Sequence, residues 1–245
     1  MNLKNKTYLV TGATSGIGLE VCNQILKHEG SIIGVGRNLK LLKKLLLDFP
    51  NNNSKLIKCD LSNENEIEDL VLNSPTLDGL VHSAGFVVNM PFSFFSFEKF
   101  KTIRKVNQDS VIQILYLLFK QKKIKKGSSI VFLSSINASF AMKANSPYAM
   151  TKASLNIFSK TLAAEFAKKQ IRFNTVSPGM VETQITKDAS ENLGKERIDN
   201  DKKKYPLGYG QPIDIAKPII FLLSDYSNWI TGLDLIIDGG RTSTI

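Results

Sequence analysis

The chain has 245 residues, 42% of them apolar, and carries 32 basic against 22 acidic side chains for a formal charge of +10. That length suits one large α/β domain with a sizeable core; the apolar runs are too short to cross a bilayer, and the polar, basic start from Met1 to Thr7 lacks the apolar stretch of a secretory signal. Two cysteines, Cys22 and Cys59, match no metal-ligand or redox spacing, so no metal is expected and the reading is two reduced, buried thiols in a cytoplasmic protein.

In chain order, Tyr8–Thr11 reads as a strand and Ile17–Lys27 as a helix with Ile17, Val21 and Ile25 on one face. Ser31–Gly36 is a second strand, Leu39–Phe49 a helix, Lys55–Cys59 a third strand and Glu64–Leu72 a helix. Gly79–His82 is a fourth strand, Glu98–Lys122 a long helix, Ser129–Ser134 a fifth strand and Pro147–Lys169 a second long helix. Ile171–Val176 is a sixth strand, Pro212–Leu223 a helix opened by proline, and Leu233–Ile237 a last strand. Strands separated by helices pair in parallel through right-handed crossovers. The expected fold is α/β: a single doubly wound (Rossmann) domain over 1–245, with a seven-stranded parallel sheet flanked by helices on both faces. Ligands on such sheets sit at the carboxyl ends of the strands. Residues 182–210 are charged and weakly periodic, and read as a substrate lid. Lysines crowd residues 120–126 and 202–204. They read as solvated helix ends that complement helix dipoles, and neither a nucleic-acid nor a membrane partner is expected.

Between the first strand and the first helix lies Thr11-Gly-Ala-Thr-Ser-Gly-Ile-Gly18. Gly12 allows a sharp turn, Gly16 allows close approach to a pyrophosphate, and Gly18 allows the helix to pack near the sheet. Thr14, Ser15 and Ile17 complete the turn, whose free N–H groups face the phosphates. Leu19 follows Gly18 where a Walker A loop would have Lys-Ser/Thr, so an NTPase is disfavoured. At the end of the second strand no acidic residue awaits the adenosine ribose. Arg37 stands there, and its guanidinium suits a 2′-phosphate: NADP(H) is preferred, with NAD(H) possible. Asp60, with Leu61 beside it, suits the adenine amino group; its competing role is a helix N-cap.

Tyr148 and Lys152, four residues apart, share one helix face. A free phenol has a pKa of about 10, and lowering it to about 7 takes roughly 4 kcal/mol. A neighbouring ammonium and a cationic nicotinamide both act in that direction. Tyr148 then serves as acid/base for a carbonyl or alcohol, while Lys152 can also hold ribose hydroxyls. Ser135, after the fifth strand, is placed to polarise the substrate oxygen, with Ser134 as runner-up. Asn107 is a poor interior helix residue, so a side-chain task is expected, such as binding a water that relays protons to Lys152. Serine hydrolysis is disfavoured, because only His28 and His82 exist and no G-x-S-x-G elbow surrounds either serine.

These motifs resemble the short-chain dehydrogenase/reductase family, specifically its 3-oxoacyl-(acyl-carrier-protein) reductase-like group. Thr11–Gly18 looks like its cofactor turn, His82-Ser83-Ala84-Gly85 like its Asn-Asn-Ala-Gly segment, and Asn107, Ser135, Tyr148 and Lys152 fall at the spacings of its catalytic tetrad. Pro178, Gly179, Val181 and Thr183 lie in a segment similar to the one that contacts the nicotinamide, and the pattern continues through Pro206–Gly208, Gln211–Ala216 and Asp238–Gly240. The resemblance implies cofactor contacts at Ala84 and Gly85, and a homotetramer. It implies a small-molecule or acyl-carrier-bound carbonyl substrate. Ser83 replaces the second Asn, Tyr209 stands where a basic residue is frequent, and Pro218 should kink its helix. Lys126 and Lys169 fall where the group docks its acidic carrier, although coincidence is the better reading in so Lys-rich a chain. The aromatic run Phe92–Phe97 reads as core packing. The leading function is an NADP(H)-dependent carbonyl reductase; the alternative is a sugar, polyol or sterol-type alcohol dehydrogenase of the same family.

Overall fold

The computed structural model describes residues 1–50, 53–183 and 195–243, with side chains from 198 onward in the last stretch. Strands β1 (Thr7–Thr11), β2 (Ser31–Gly36), β3 (Lys55–Lys58), β4 (Leu77–His82), β5 (Ile124–Leu133), β6 (Arg172–Pro178) and β7 (Asp234–Ile237) form one sheet in the order β3-β2-β1-β4-β5-β6-β7. Every neighbouring pair is parallel. The order reverses beside β1, where the β1 and β4 registers end together at Thr11 and His82. That reversal opens the crevice in which such sheets bind ligands.

Helices cover both faces, which is why the central strands are apolar without alternation. On one face α1 (Gly16–Lys27) packs against α8 (Pro212–Leu223), burying Val21, Ile25, Ile215 and Ile219. The opposite face buries Leu70, Val111, Ile114 and Leu155 from α3 (Glu64–Leu72), α5 (Ser110–Lys120) and α6 (Ser146–Phe166). An eight-residue helix, α2 (Lys40–Leu47), joins β2 to β3 and buries Leu42.

Several boundaries differ from the sequence reading. The helix expected over Glu98–Lys122 is α4 (Phe97–Arg104) and α5, separated by a π-helical turn at Lys105–Asp109 in which the Ser110 amide bonds the Lys105 carbonyl. β5 begins at Ile124 rather than Ser129, because Ile124 pairs with Leu77 ahead of a register shift. α6 ends at Phe166 and finishes as a 3-10 turn, Ala167–Lys169. α8 runs continuously through Pro218, started by a reciprocal Gln211–Asp214 capping box. Within the stretch read as a lid, a charged helix α7 (Lys195–Lys202) is present; residues 184–194 of that stretch lie outside the described residues.

The aromatic run is not core. Phe92, Phe94 and Phe97 are 76%, 77% and 73% exposed, and only Phe95 is half-buried among them. Near β7, Tyr226, Trp229 and Ile236 also face outward, Trp229 at 98%. Among the basic clusters, Lys123 donates to the Val71, Leu72 and Ser74 carbonyls at 2.7–2.8 Å and so closes the end of α3.

Candidate active site

The turn after β1 depends on missing side chains. Gly12 has φ +64, and a Cβ there would lie 2.7 Å from the Ala84 amide nitrogen and 2.9 Å from the Ser83 carbonyl carbon. A Cβ on Gly18 would lie 2.8 Å from the Gly12 carbonyl carbon. The turn therefore packs backbone against backbone beneath the start of α1. Ser15 at the N-cap makes no side-chain cap bond, which leaves the first N–H groups of α1 open to an anion. This cradle fits a dinucleotide's pyrophosphate.

Arg37 is exposed directly after β2, where Thr14 packs beneath Gly36 at 2.5 Å from the position of a Cβ. Asp60 accepts from the Ser62 amide at 2.9 Å and its hydroxyl at 2.8 Å. Those two bonds, and more weakly the Arg37 charge, hold its carboxyl below the usual carboxylate range. The α3 cap is Asn63, which accepts from the Asn65 amide, so the capping role weighed for Asp60 belongs to its neighbour. Leu61 is buried beside it.

Tyr148 and Lys152 project together from the first turns of α6, with Pro147 starting the helix. The Lys152 ammonium is buried, donates to the Leu133 carbonyl at 2.6 Å, and lies 5.7 Å from the Tyr148 ring centre. Burial pushes its pKa down to about 8. Ser135 follows β5, and its hydroxyl accepts from the Asn137 amide at 3.2 Å. It lines the same cavity as the Tyr148 phenol and lowers that group's proton affinity. Ser134 instead donates to the Lys152 carbonyl at 3.1 Å, so of the two serines Ser135 is the one on Tyr148. The expected lowering of the phenol's pKa by Lys152 is not met in this state. Burial raises it and the nearby Ser135 hydroxyl offsets only part, because the ammonium is directed at Leu133.

Asn107 sits in the π turn and is fully buried. Its Oδ1 accepts from the Phe86 amide at 3.0 Å; its Nδ2 donates to the Phe86 carbonyl at 3.0 Å and to the Thr151 hydroxyl at 3.2 Å. The side chain is thus a brace between the loop after β4 and α6, with both Nδ2 hydrogens and one Oδ1 lone pair engaged. A Cβ on Gly85 would lie 3.1 Å from Asn107 Oδ1 and 3.4 Å from Lys152 Nζ, so a side chain there would press on the Asn107 amide.

Ile17, Gly85, Ser135, Tyr148, Lys152, Pro178, Gly179, Val181 and Thr183 line one cavity of about 340 Å³ at the carboxyl ends of the strands. Val181 bridges to Gly210, and the Glu182 amide bonds the Gly210 carbonyl at 2.8 Å. Phe86, Val87, Met142 and Tyr205 also line the cavity. The sequence reading did not single them out, and Met142 carries no sequence signal at all. It also gave His82 no task of its own, although a buried histidine ending a strand at the switch point was a legible cue. Lys126 and Lys169 meet instead at the amino ends of β5 and β6, beside Phe119 and Ile171, away from this cavity. No group of three or more His, Cys, Asp or Glu suits a metal among the described residues.

Comparison with known proteins agrees with this geometry. A family model described as Enoyl-(Acyl carrier protein) reductase matches residues 12–242. The chain is 32% identical over 241 residues to carbonyl reductase family member 4 of Xenopus laevis, covering 96% of this chain and 98% of that one. It is 31% identical over 241 residues to the 3-oxoacyl-[acyl-carrier-protein] reductase FabG of Rickettsia bellii, covering 98% of each. A short chain dehydrogenase family structure from Francisella tularensis superposes with a TM-score of 0.87 at 31% identity, over 98% of this chain and 99% of that one. A doubly wound sheet, a glycine cradle at its switch point and a tyrosine–lysine pair facing that cradle come together in one lineage: the chain belongs to the short-chain dehydrogenase/reductase family, in its 3-oxoacyl-(acyl-carrier-protein) reductase-like group, and is an oxidoreductase acting on CH–OH and C=O groups with NAD(P).

Proposed function

We propose that this enzyme reduces a ketone, a 3-oxoacyl thioester or a related carbonyl, to the alcohol with NADPH, and that Tyr148 is its general acid. The observation that carries the reading is the meeting of Tyr148, Ser135 and Lys152 in one cavity that also holds the glycine turn's Ile17. Bound NADPH supplies the hydride. Gly12, Thr14, Ser15, Gly16, Ile17 and Gly18 hold its pyrophosphate, Arg37 its 2′-phosphate, and Asp60 and Leu61 its adenine. Ala84, Gly85, Pro178, Gly179, Val181 and Thr183 flank the nicotinamide half, and Lys152 holds the ribose hydroxyls.

Ser135 donates to the carbonyl oxygen and orients it. Tyr148 then gives that oxygen its proton as the negative charge develops. Asn107 keeps Thr151, and with it α6, in register. Burial supports the reductive direction, because a phenol with raised proton affinity is fully protonated at neutral pH. The relatives named 3-oxoacyl-[acyl-carrier-protein] reductase support a carrier-bound substrate. The proposal includes a single domain over 1–245, a lid at 182–210, a homotetramer, a cytoplasmic location, and no nucleic-acid or membrane partner.

The test is turnover of NADPH with acetoacetyl thioesters, set against a panel of sugars, polyols and sterols with oxidised cofactor. The thioester should be reduced, and Tyr148→Phe should lose roughly 10²–10⁴-fold in kcat with NADPH binding retained. Full activity in Tyr148→Phe, or turnover only of the alcohol panel, sinks the reading.

A further inference from the structure

His82 ends β4, is fully buried, and pairs across the sheet with Thr11 at the root of the glycine turn. Its Nδ1 lies 2.9 Å from the Thr11 hydroxyl oxygen. That same oxygen accepts from the Ala84 amide at 3.3 Å, and among the described residues Nδ1 is the acceptor that meets the hydroxyl's single hydrogen. Nδ1 is therefore the acceptor, and the proton belongs on Nε2. Burial, with the Lys152 charge second, pushes the imidazole's pKa down to about 3.

The other ring nitrogen faces the π turn. Nε2 has no well-formed hydrogen bond among the described residues. The main-chain carbonyl of Asn107 lies near the ring and raises its proton affinity. The groups around it come from three elements: Thr11 on β1, Asn107 in the π turn and Lys152 on α6, and Lys152 is the charged one.

We propose that His82, as the neutral Nε2–H tautomer, is a positioning residue that joins the cofactor turn to the catalytic helices. Nδ1 fixes Thr11, and Nε2–H is directed to the Asn107 main chain. The proposal rests on the reductase reading for its kinetic consequence and is independent of it for the tautomer.

The chain has two histidines, so His28→Asn leaves a single imidazole. Long-range proton–nitrogen NMR on that variant, labelled at histidine nitrogen, should show a neutral Nε2–H ring unchanged from about pH 5.5 to 8.5. An Nδ1–H ring, or one that titrates in that range, overturns the proposal. Two further variants separate the two contacts. His82→Asn keeps an oxygen near Nδ1 and nothing at Nε2; His82→Gln keeps an N–H near Nε2 and leaves Thr11 unmatched. His82→Asn should lower kcat about tenfold with the NADPH Kd within about twofold, and His82→Gln should do the reverse, about tenfold being the scale of one lost hydrogen bond. Equal losses of both quantities in both variants mean a merely structural residue and overturn the positioning role. If the natural chain neither binds NADPH nor reduces ketones, the reductase reading falls while the NMR result still decides His82.

Discussion

The Lys152 ammonium meets the Leu133 carbonyl at 2.6 Å. The charge one helical turn beyond Tyr148 is thereby tied to the strand that delivers Ser135, and α6 cannot slide along β5 without breaking that bond. The bond also keeps a cation where water is scarce, which has a measurable consequence for stability.

A lysine whose pKa falls from 10.5 to about 8 on folding holds its proton less tightly when folded. Below about pH 8 both states are protonated and the folded state carries the whole penalty. Between 8 and 10.5 only the unfolded state keeps the proton, so stability rises with pH. Relative to Lys152→Met, the natural chain should gain up to about 3 kcal/mol over that window, read from urea midpoints at pH 7 and pH 10.5. A constant difference between the two proteins contradicts it.

Tyr148 gives a directional pH profile. Burial raises its proton affinity, so the acid needed for reduction is present across pH 6–8. The reductive kcat/KM should be flat there and fall above about pH 8, as Lys152 loses its proton. Oxidation needs the phenolate and should rise by up to about tenfold per pH unit over the same range. A reductive rate that climbs between pH 6 and 8 excludes Tyr148 as the proton donor.

Arg37 is exposed with no carboxylate bonded to it among the described residues. Arg37→Glu should raise the Kd for NADPH at least about tenfold, as expected for a lost charge-assisted bond plus repulsion, and leave NADH binding within about threefold. Fluorescence titration with both nucleotides checks it; parallel changes for the two would remove Arg37 from the 2′-phosphate site.

Two glycines separate backbone strain from crowding. Gly12→Ala meets both a left-handed φ and the Ala84 main chain, and should cost at least about 2 kcal/mol, roughly 4–8 °C in Tm. Gly85→Ala keeps an ordinary φ but presses on Asn107, which three hydrogen bonds prevent from yielding. It should lower kcat more than it lowers Tm. Unchanged turnover in Gly85→Ala would show that the brace has slack.

Much of this was legible beforehand. β2, α3 and α8 carry their own periodicity and punctuation, and their ends agree with the reading to the residue. Tyr148 and Lys152 were paired by helical spacing alone. Features set by distant parts of the chain were not legible. The π turn inserts no Gly or Pro into Lys105-Val-Asn-Gln-Asp109, so the pattern reads as unbroken helix. The start of β5 depends on Leu77, far away in sequence, and α7 has no apolar face to reveal it. Dense phenylalanines read as core, yet their exposure depends on where the short turn Phe92–Phe94 lies. The phenol's raised proton affinity comes from burial that local spacing cannot express.

Trp229 is the only tryptophan, and it stands almost wholly in solvent near β7, while the candidate cavity lies elsewhere. A nucleotide docked in that cavity therefore does not desolvate the indole, whose emission maximum should stay in place while the dihydronicotinamide's own light follows binding. The same indole reports on its own surroundings: were another subunit to cover that edge, its emission would shift to the blue as the protein is concentrated.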